Sequence, residues 1–132
     1  MSEKNIQTAQ AIYAAFGRGD LPGVLEHIHE ELRHFGVVAA NADAPWQKQI
    51  SKKADVPRFF QALAENLEFT RFEPGAFAAS ADHVYCTVTW DATIKKNGKK
   101  MTQTVFHRFT FKQGRVVEWQ GTEDTAKTKT VL

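Results

Sequence analysis

The second half of the chain alternates apolar and polar residues over runs long enough for extended β-strands. In the run 84–94 every even-numbered residue is Val, Cys, Trp, Ala or Ile, and the run 101–112 continues the alternation. Such a period of two is typical of strands, because successive side chains point to opposite faces of a sheet. Asn97-Gly98 between the runs predicts a type I′ hairpin turn, since both central residues of that turn need positive φ. Gln113-Gly114 predicts a second turn into a last strand, 116–122.

The first half of the chain carries the periodicity of amphipathic helices instead. Five apolar residues fall within about 120° of arc on the first predicted helix; they are Ile6, Ala9, Ile12, Tyr13 and Phe16. Asp20-Leu21-Pro22 and Asp55-Val56-Pro57 are start signals for two further helices. A short strand over 32–38 and a loop over 41–53 separate the second helix from the third. Helices followed by strands favour an α+β fold over alternating α/β units.

Three helices and a long meander bury their apolar faces together only if the sheet curls and the helices cover its concave side. We therefore predict a cone-shaped, strongly curved antiparallel sheet wrapped around three N-terminal helices, with a pocket inside. A length of 132 residues suits a single domain, because compact domains most often have about 100–150 residues. We expect one domain over 1–132, with a frayed tail at 126–132.

Charge and cysteine content exclude several classes of protein. Seventeen basic and fifteen acidic side chains leave a formal net charge of +2, too small to indicate a nucleic-acid partner. No stretch approaches the roughly 20 consecutive apolar residues of a membrane span, so we expect no membrane partner. The single cysteine, Cys86, rules out an internal disulfide and favours a cytoplasmic location. No phosphate loop or metal-ligand spacing is present, so we expect neither a cofactor nor a metal.

Two histidines lie on strand faces that are otherwise apolar. His34 shares its predicted face with Leu32, and His107 shares its face with Val105 and Phe109. Two imidazoles that point inward from separate strands would meet in one cavity, where burial favours the neutral ring that both accepts and donates a proton. The alternative for each is a core histidine that is hydrogen-bonded to the backbone.

Asp124, directly after the last strand, is a candidate third polar group. A carboxylate at the rim of the pocket would orient a histidine or act as the base, and the alternative is a cap where the chain leaves the sheet. Aromatic residues are predicted to line the pocket and contact a ligand; they are Tyr13, Phe16, Trp46, Phe60, Trp90 and Trp119. Trp46 would act as a lid or pack on the surface, and Trp90 and Trp119 would otherwise fill the core or a subunit interface.

Several short stretches accompany the predicted elements in chain order. Gly19-Asp20-Leu21 leads into the second helix, Ala44-Pro45-Trp46 lies in the loop and Phe59-Phe60 lies on the third helix. The strand segment 105–111 is followed by Gly114-Arg115-Val116 and Glu123-Asp124-Thr125. In this order they resemble the SnoaL-like branch of the nuclear transport factor 2-like superfamily, over roughly 6–125. The superfamily includes polyketide cyclases, ketosteroid isomerases, limonene epoxide hydrolases and members that only bind or dimerise. The resemblance implies a cone-shaped sheet around a pocket, and a homodimer.

The resemblance also bears on the reaction. His34 looks like the counterpart of the general-base aspartate of the steroid isomerases, whose hydroxyl donor would fall at or next to Ile12, with Tyr13 adjacent. The acid that completes their oxyanion hole aligns near Thr104, where this chain has no carboxylate, and this departure argues against steroid isomerisation. His107 and Asp124 match positions where SnoaL-like members often carry His and Asp, so the cyclase-like group is most similar.

The sequence thus supports two hypotheses. The first is a cofactor-free homodimer that binds an apolar carbonyl compound and moves a proton with His34 or His107, oriented by Asp124. The reaction would be isomerisation or an aldol-type ring closure. The second is a non-catalytic module of the same fold that binds a small molecule or dimerises.

Overall fold

The structure, a computed structural model, describes residues 2–38 and 41–132. The chain forms helices and strands in the following order: α1 (Ser2–Gly17), α2 (Leu21–Leu25), β1 (His34–Val37), β2 (Gln49–Ile50), a 3₁₀ turn (Lys53–Asp55), α3 (Val56–Asn66), β3 (Leu67–Ser80), β4 (His83–Ile94), β5 (Lys100–Lys112), β6 (Arg115–Gly121) and α4 (Thr125–Lys129). The predicted α+β class is confirmed. Within the described residues, no helix is long and apolar enough to cross a membrane.

The strands form one six-stranded sheet in the order β2-β1-β6-β5-β4-β3. The sheet is curved and not closed, and two register shifts between β3 and β4 contribute to its bending. The strand pairs are antiparallel as predicted, except that β1 pairs parallel to β6. The polypeptide between them, which includes α3 and the whole meander, is long enough to return β6 beside β1 in the same direction.

The apolar faces predicted from the alternation form the concave side of the sheet. The inward residues of β4 and β5 are at most 8% exposed, and Phe109 is among the largest side chains that are fully buried. Helix α1 contributes Ala9, Ile12 and Ala15 to this core. Helix α3 begins beside Pro57, where the missing N–H costs nothing, and buries Phe59. The outer side of the sheet carries mainly polar residues.

Of the two predicted turns, the first has a different type from the predicted one. Gly98 has a φ of +73°, but Asn97 is not among the positive-φ residues, so the β4–β5 connection is not a type I′ turn. Gln113 and Gly114 both have positive φ, at +53° and +78°. The compact turn with two left-handed residues therefore joins β5 to β6.

The C-terminal tail, for which the sequence predicts fraying over 126–132, forms a helix and packs against the rest of the domain. Residues 125–129 form α4, in which Thr128 is completely buried, and Val131 is only 6% exposed. The hydroxyl of Thr128 accepts a hydrogen bond from Gln103 Nε2 at 3.1 Å, and Asn97 Nδ2 donates to the Val131 carbonyl at 2.8 Å. Because the tail is rich in polar residues, its sequence gives no signal for these two contacts.

Candidate functional site

An aromatic cavity of about 80 Å³ lies between the concave face of the sheet, α1 and α3. We call it the inner cavity. Its wall is mostly apolar, and Tyr13, His107 and Glu123 are its titratable residues within the described chain. Tyr13, Phe16 and two further aromatic side chains also border an open cleft of about 690 Å³ between α1 and β3, the outer cleft. A ligand larger than the inner cavity would extend into the outer cleft.

His107 points into the inner cavity from the middle of β5, as the alternation predicts. The ring is 8% exposed. Its Nδ1 lies 2.6 Å from the Tyr13 hydroxyl, and the ring of Trp119 meets it edge-on at a centroid distance of 4.8 Å. Burial lowers the pKa of His107 to about 3, because the apolar surroundings disfavour the imidazolium ion. The ring is therefore neutral at physiological pH.

Tyr13 connects His107 to a buried thiol. The Tyr13 hydroxyl lies 3.2 Å from Cys86 Sγ as well as 2.6 Å from the His107 ring. Burial raises the pKa of both Tyr13 and Cys86, so both keep their protons. The three groups allow two arrangements: either the hydroxyl donates to Nδ1 and Nε2 bears the proton, or Nδ1–H donates to the hydroxyl, which donates to sulfur. In the second arrangement Nε2 carries a free lone pair.

Gly121 lets the Nε2 edge of the imidazole lie close to the backbone of β6. It pairs with His107 across β5 and β6. A Cβ atom added at Gly121 would lie 3.1 Å from Cδ2 and 3.2 Å from Nε2 of His107. Residues 2–38 and 41–132 provide no hydrogen-bond partner for Nε2. This nitrogen is therefore the polar atom of the ring that is available to a ligand.

Glu123 is a wall residue of the inner cavity that the sequence analysis missed. Its Oε2 accepts hydrogen bonds from Thr128 Oγ1 at 2.5 Å, from Trp46 Nε1 at 3.4 Å and from Gln47 Nε2. Burial raises the pKa of Glu123, against the lowering effect of these donors. A signal was present, because the period of two from Trp119 through Gly121 places residue 123 inward.

Asp124, predicted as the carboxylate of the site, does not line the inner cavity. Its exposed side chain accepts a hydrogen bond from the Lys127 backbone N–H at 3.0 Å and caps α4. Its own N–H donates to Gln103 Oε1 at 2.7 Å. The alternative of a cap at the end of the sheet is what the structure shows, so the prediction that Asp124 orients a histidine is corrected.

His34 does not share the cavity with His107, which corrects the second predicted site residue. Phe35 and Val37 are the residues of β1 that face inward, and Phe35 packs on Trp119 at a centroid distance of 4.8 Å. His34 lies on the other face, with Nε2 3.3 Å from the Gly36 carbonyl. Strand β1 begins only at residue 34, so the burial of residue 32 says nothing about which face of the strand is inward.

The six aromatic residues predicted to contact a ligand all border the inner cavity; they are Tyr13, Phe16, Trp46, Phe60, Trp90 and Trp119. Trp46 is only 3% exposed, and its indole N–H is directed at Glu123. It is therefore a fixed part of the wall rather than a residue packed on the outside. Contact of these side chains with a ligand stays a prediction.

Comparison with known proteins gives a family and a fold. The family model described as the SnoaL-like domain matches residues 9–119. The search of curated proteins finds no match.

Solved structures agree over nearly the whole chain. An NTF2-like protein of unknown function from Burkholderia pseudomallei superimposes with a TM-score of 0.87 at 26% identity, covering 99% of this chain and 98% of that one. An NTF2-like protein from Burkholderia xenovorans gives 0.87 at 20% identity, with coverages of 99% and 97%. TerC, co-crystallised with polyporic acid, gives 0.84 at 20% identity, and 97% of each chain is covered. The last two likenesses concern the fold alone.

Proposed function

Because the chain belongs to the SnoaL-like domain family, we propose that it takes up an apolar carbonyl compound in the inner cavity and moves a proton at His107. The observation that carries this proposal is the neutral, buried imidazole, whose Nδ1 is held by Tyr13 and whose Nε2 is left available beside Gly121. The reaction class is proton transfer next to a carbonyl, as in isomerisation or aldol-type ring closure, and it requires no cofactor.

The proposed step begins with the arrangement in which Nε2 carries the free lone pair. Nε2 accepts a proton from the carbon next to the carbonyl, the C–H electron pair moves into the C–C bond, and the carbonyl oxygen becomes an enolate. The imidazolium ion is unfavourable in the empty cavity, and the adjacent enolate supplies the opposite charge that stabilises it. Return of the proton to a different carbon completes an isomerisation, whereas attack of the enolate carbon on a second carbonyl closes a ring.

Deuterium exchange tests the proton transfer without knowledge of the natural substrate. The methyl protons of acetophenone, which lie next to its carbonyl, are followed by NMR in D₂O. His107→Asn keeps an amide near the Nδ1 position but lacks Nε2. We expect it to lower the exchange rate by about 10²–10⁴-fold, the usual contribution of a general base. Phe111→Leu, on the same face of β5 but outside the wall of the inner cavity, is the matched control. Equal rates in wild type and His107→Asn would contradict the proposal.

The pH profile of exchange gives a second readout. Since the pKa of His107 is lowered to about 3, the rate should show no inflection near the ordinary histidine pKa of about 6.5. A profile that rises through about 6.5 would indicate a solvated base outside the cavity.

We also propose that the chain forms a homodimer through the outer side of β4 and β5. Phe106 is 64% exposed and Tyr85 is 42% exposed, and their strand partners, Thr87 and Arg108, place the two residues at diagonal positions on the same outer face. Exposed aromatic side chains are enriched in protein interfaces. Phe106→Asp should shift the sedimentation equilibrium toward monomer, and Gln7→Glu, which adds a negative charge on the exposed side of α1 away from this face, serves as the control. A wild-type protein that sediments as a monomer would refute the dimer.

A non-catalytic binding or dimerisation module is the second candidate function. The observation that favours it is the small volume of the inner cavity, about 80 Å³. In that case acetophenone would exchange no faster with wild type than in buffer, while Phe106→Asp would still change the oligomeric state. The two experiments together separate the candidates.

The proposed cytoplasmic location is supported by the thiol chemistry. Cys86 is the single cysteine of the chain, and it is buried beside the Tyr13 hydroxyl. A thiol that has no disulfide partner in its own chain suits a reducing compartment. Cell fractionation with an antibody to the protein tests the location.

A further inference from the structure

The inner cavity has a second polar group whose role the proton transfer at His107 does not explain. Glu123 lines the cavity together with Trp46 and Thr122. It lies beyond Gly121, which faces His107, so both polar groups belong to the same wall. Partial burial of a carboxyl group costs folding free energy, because it disfavours the charged form.

The hydrogen bonds to Glu123 are distributed unequally between its two oxygens. Trp46 Nε1, Gln47 Nε2 and Thr128 Oγ1 all donate to Oε2. These donors come from the loop before β2 and from α4, two segments that are distant in sequence. They fix the plane of the carboxyl group and occupy one oxygen completely.

The other oxygen, Oε1, has no donor in the described part of the chain. It is also not enclosed, since Arg108 Nε is the single fully buried and unpartnered side-chain atom within residues 2–38 and 41–132. Oε1 therefore keeps accessible surface, and Glu123 lines the inner cavity. A fixed carboxyl oxygen with a free lone pair in an apolar wall is a strong hydrogen-bond acceptor.

We infer that Glu123 Oε1 binds a hydrogen-bond donor of the ligand, so that the cavity selects carbonyl compounds that also carry a hydroxyl or N–H group. The inference rests on the proposed function for the carbonyl end of the ligand, at His107. The donor end depends on Glu123 alone.

The charge of the cavity wall supports this class of ligand. The wall contains no Lys or Arg among the described residues. A ligand carboxylate at Oε1 would meet a second acceptor with no cation nearby, which is unfavourable in surroundings of low dielectric. A neutral donor satisfies the lone pair without adding charge.

Glu123→Gln reverses the polarity of this position while preserving its shape. Three donors surround the Oε2 site, so the amide oxygen of glutamine occupies it and the NH₂ group takes the place of Oε1. The cavity then offers a donor where the wild type offers an acceptor. Asp124→Asn is the matched control, because it neutralises the adjacent exposed carboxylate and asparagine also caps helices well.

Two ligands of similar shape test the inference. Para-hydroxyacetophenone carries a donor, whereas para-fluoroacetophenone has none. We expect wild type and Asp124→Asn to bind the hydroxy compound about 10-fold more tightly than the fluoro compound by isothermal calorimetry, as for a hydrogen bond to a carboxylate. Glu123→Gln should lose this preference. Near-UV circular dichroism establishes that the variant is folded.

The outcomes separate this inference from the proposed function. Equal affinity of wild type for the two compounds, binding of neither, or a preference that survives in Glu123→Gln would overturn the role of Glu123. A preference that depends on Glu123, combined with deuterium exchange that does not depend on His107, would refute the proton transfer and leave the donor site standing. Exchange that requires His107, without any preference for the hydroxy compound, would support the proton transfer and refute the donor site.

Discussion

Replacement of His107 by asparagine should change how the stability of the protein depends on pH. Burial lowers the pKa of His107 to about 3 in the folded protein, whereas the imidazole of an unfolded chain titrates near about 6.5. As the pH falls below the unfolded value, the unfolded chain takes up a proton that the folded chain does not. The stabilising contribution of this group is therefore complete above the unfolded pKa and is lost as the pH falls toward the folded pKa.

The size of the effect follows from the two pKa values. Between about pH 7 and about pH 5 the unfolded imidazole changes from mostly neutral to almost fully charged, while the folded one stays neutral, which costs about 2 kcal/mol of unfolding free energy. The result depends little on the exact folded value, because at these pH values the folded ring is far from protonation. Asparagine binds no proton, so His107→Asn should lose about 2 kcal/mol less than wild type over this interval.

Urea unfolding at the two pH values measures this difference. Glu123, whose pKa is raised by burial, contributes with the opposite sign: its stabilising effect is present below its unfolded pKa and lost as the pH rises. It is present in both proteins and cancels in the comparison. Val105→Ala is the control, since it destabilises the same strand without changing proton uptake. Wild type and His107→Asn curves that run parallel between the two pH values would refute the buried, neutral imidazole.

Three further substitutions probe the contacts of the cavity. Tyr13→Phe leaves Nδ1 of His107 without its partner and should lower the unfolding free energy by about 1–3 kcal/mol; urea unfolding with no measurable loss would contradict the contact. Thr128→Val removes a buried donor to the cavity carboxylate and should cost about 1 kcal/mol or more, unlike the exposed control Thr130→Val. Gly121→Ala crowds the imidazole edge and should slow acetophenone exchange at least about 10-fold in a protein with unchanged circular dichroism; an unchanged rate would show that the edge is not used.

The sequence is most informative where one pattern extends over many residues. The runs 84–94 and 101–112 form β4 and β5 with the predicted faces inward, and His107 is located correctly because six or more residues fix the phase of its strand. The stripe that begins at Val56 forms α3 for the same reason. Long periodic segments average over single exceptions, so both their type and their orientation are predictable.

The errors occur where a short segment or a distant contact decides the outcome. Strand β1 has four residues, so one buried residue before it was enough to reverse the predicted face of His34. The choice of Asp124 over Glu123 has a different origin, because the period of two from Trp119 through Gly121 was not extended to residue 123. The parallel pairing of β1 with β6 and the docking of α4 depend on contacts between residues far apart in sequence, which no local pattern contains.

The hydrogen bonds to Oε2 of Glu123 also have a consequence for how the molecule opens. Asn41 Nδ2 donates to the Thr125 carbonyl at 3.2 Å, so the loop that carries Trp46 and the last helix are fastened at two points. Neither segment can swing away without releasing the other, and both should exchange their amide hydrogens as one cooperative unit. A ligand too large for the inner cavity would then have to break the hydrogen bonds of both the loop and the helix, although the two segments lie more than half the sequence apart.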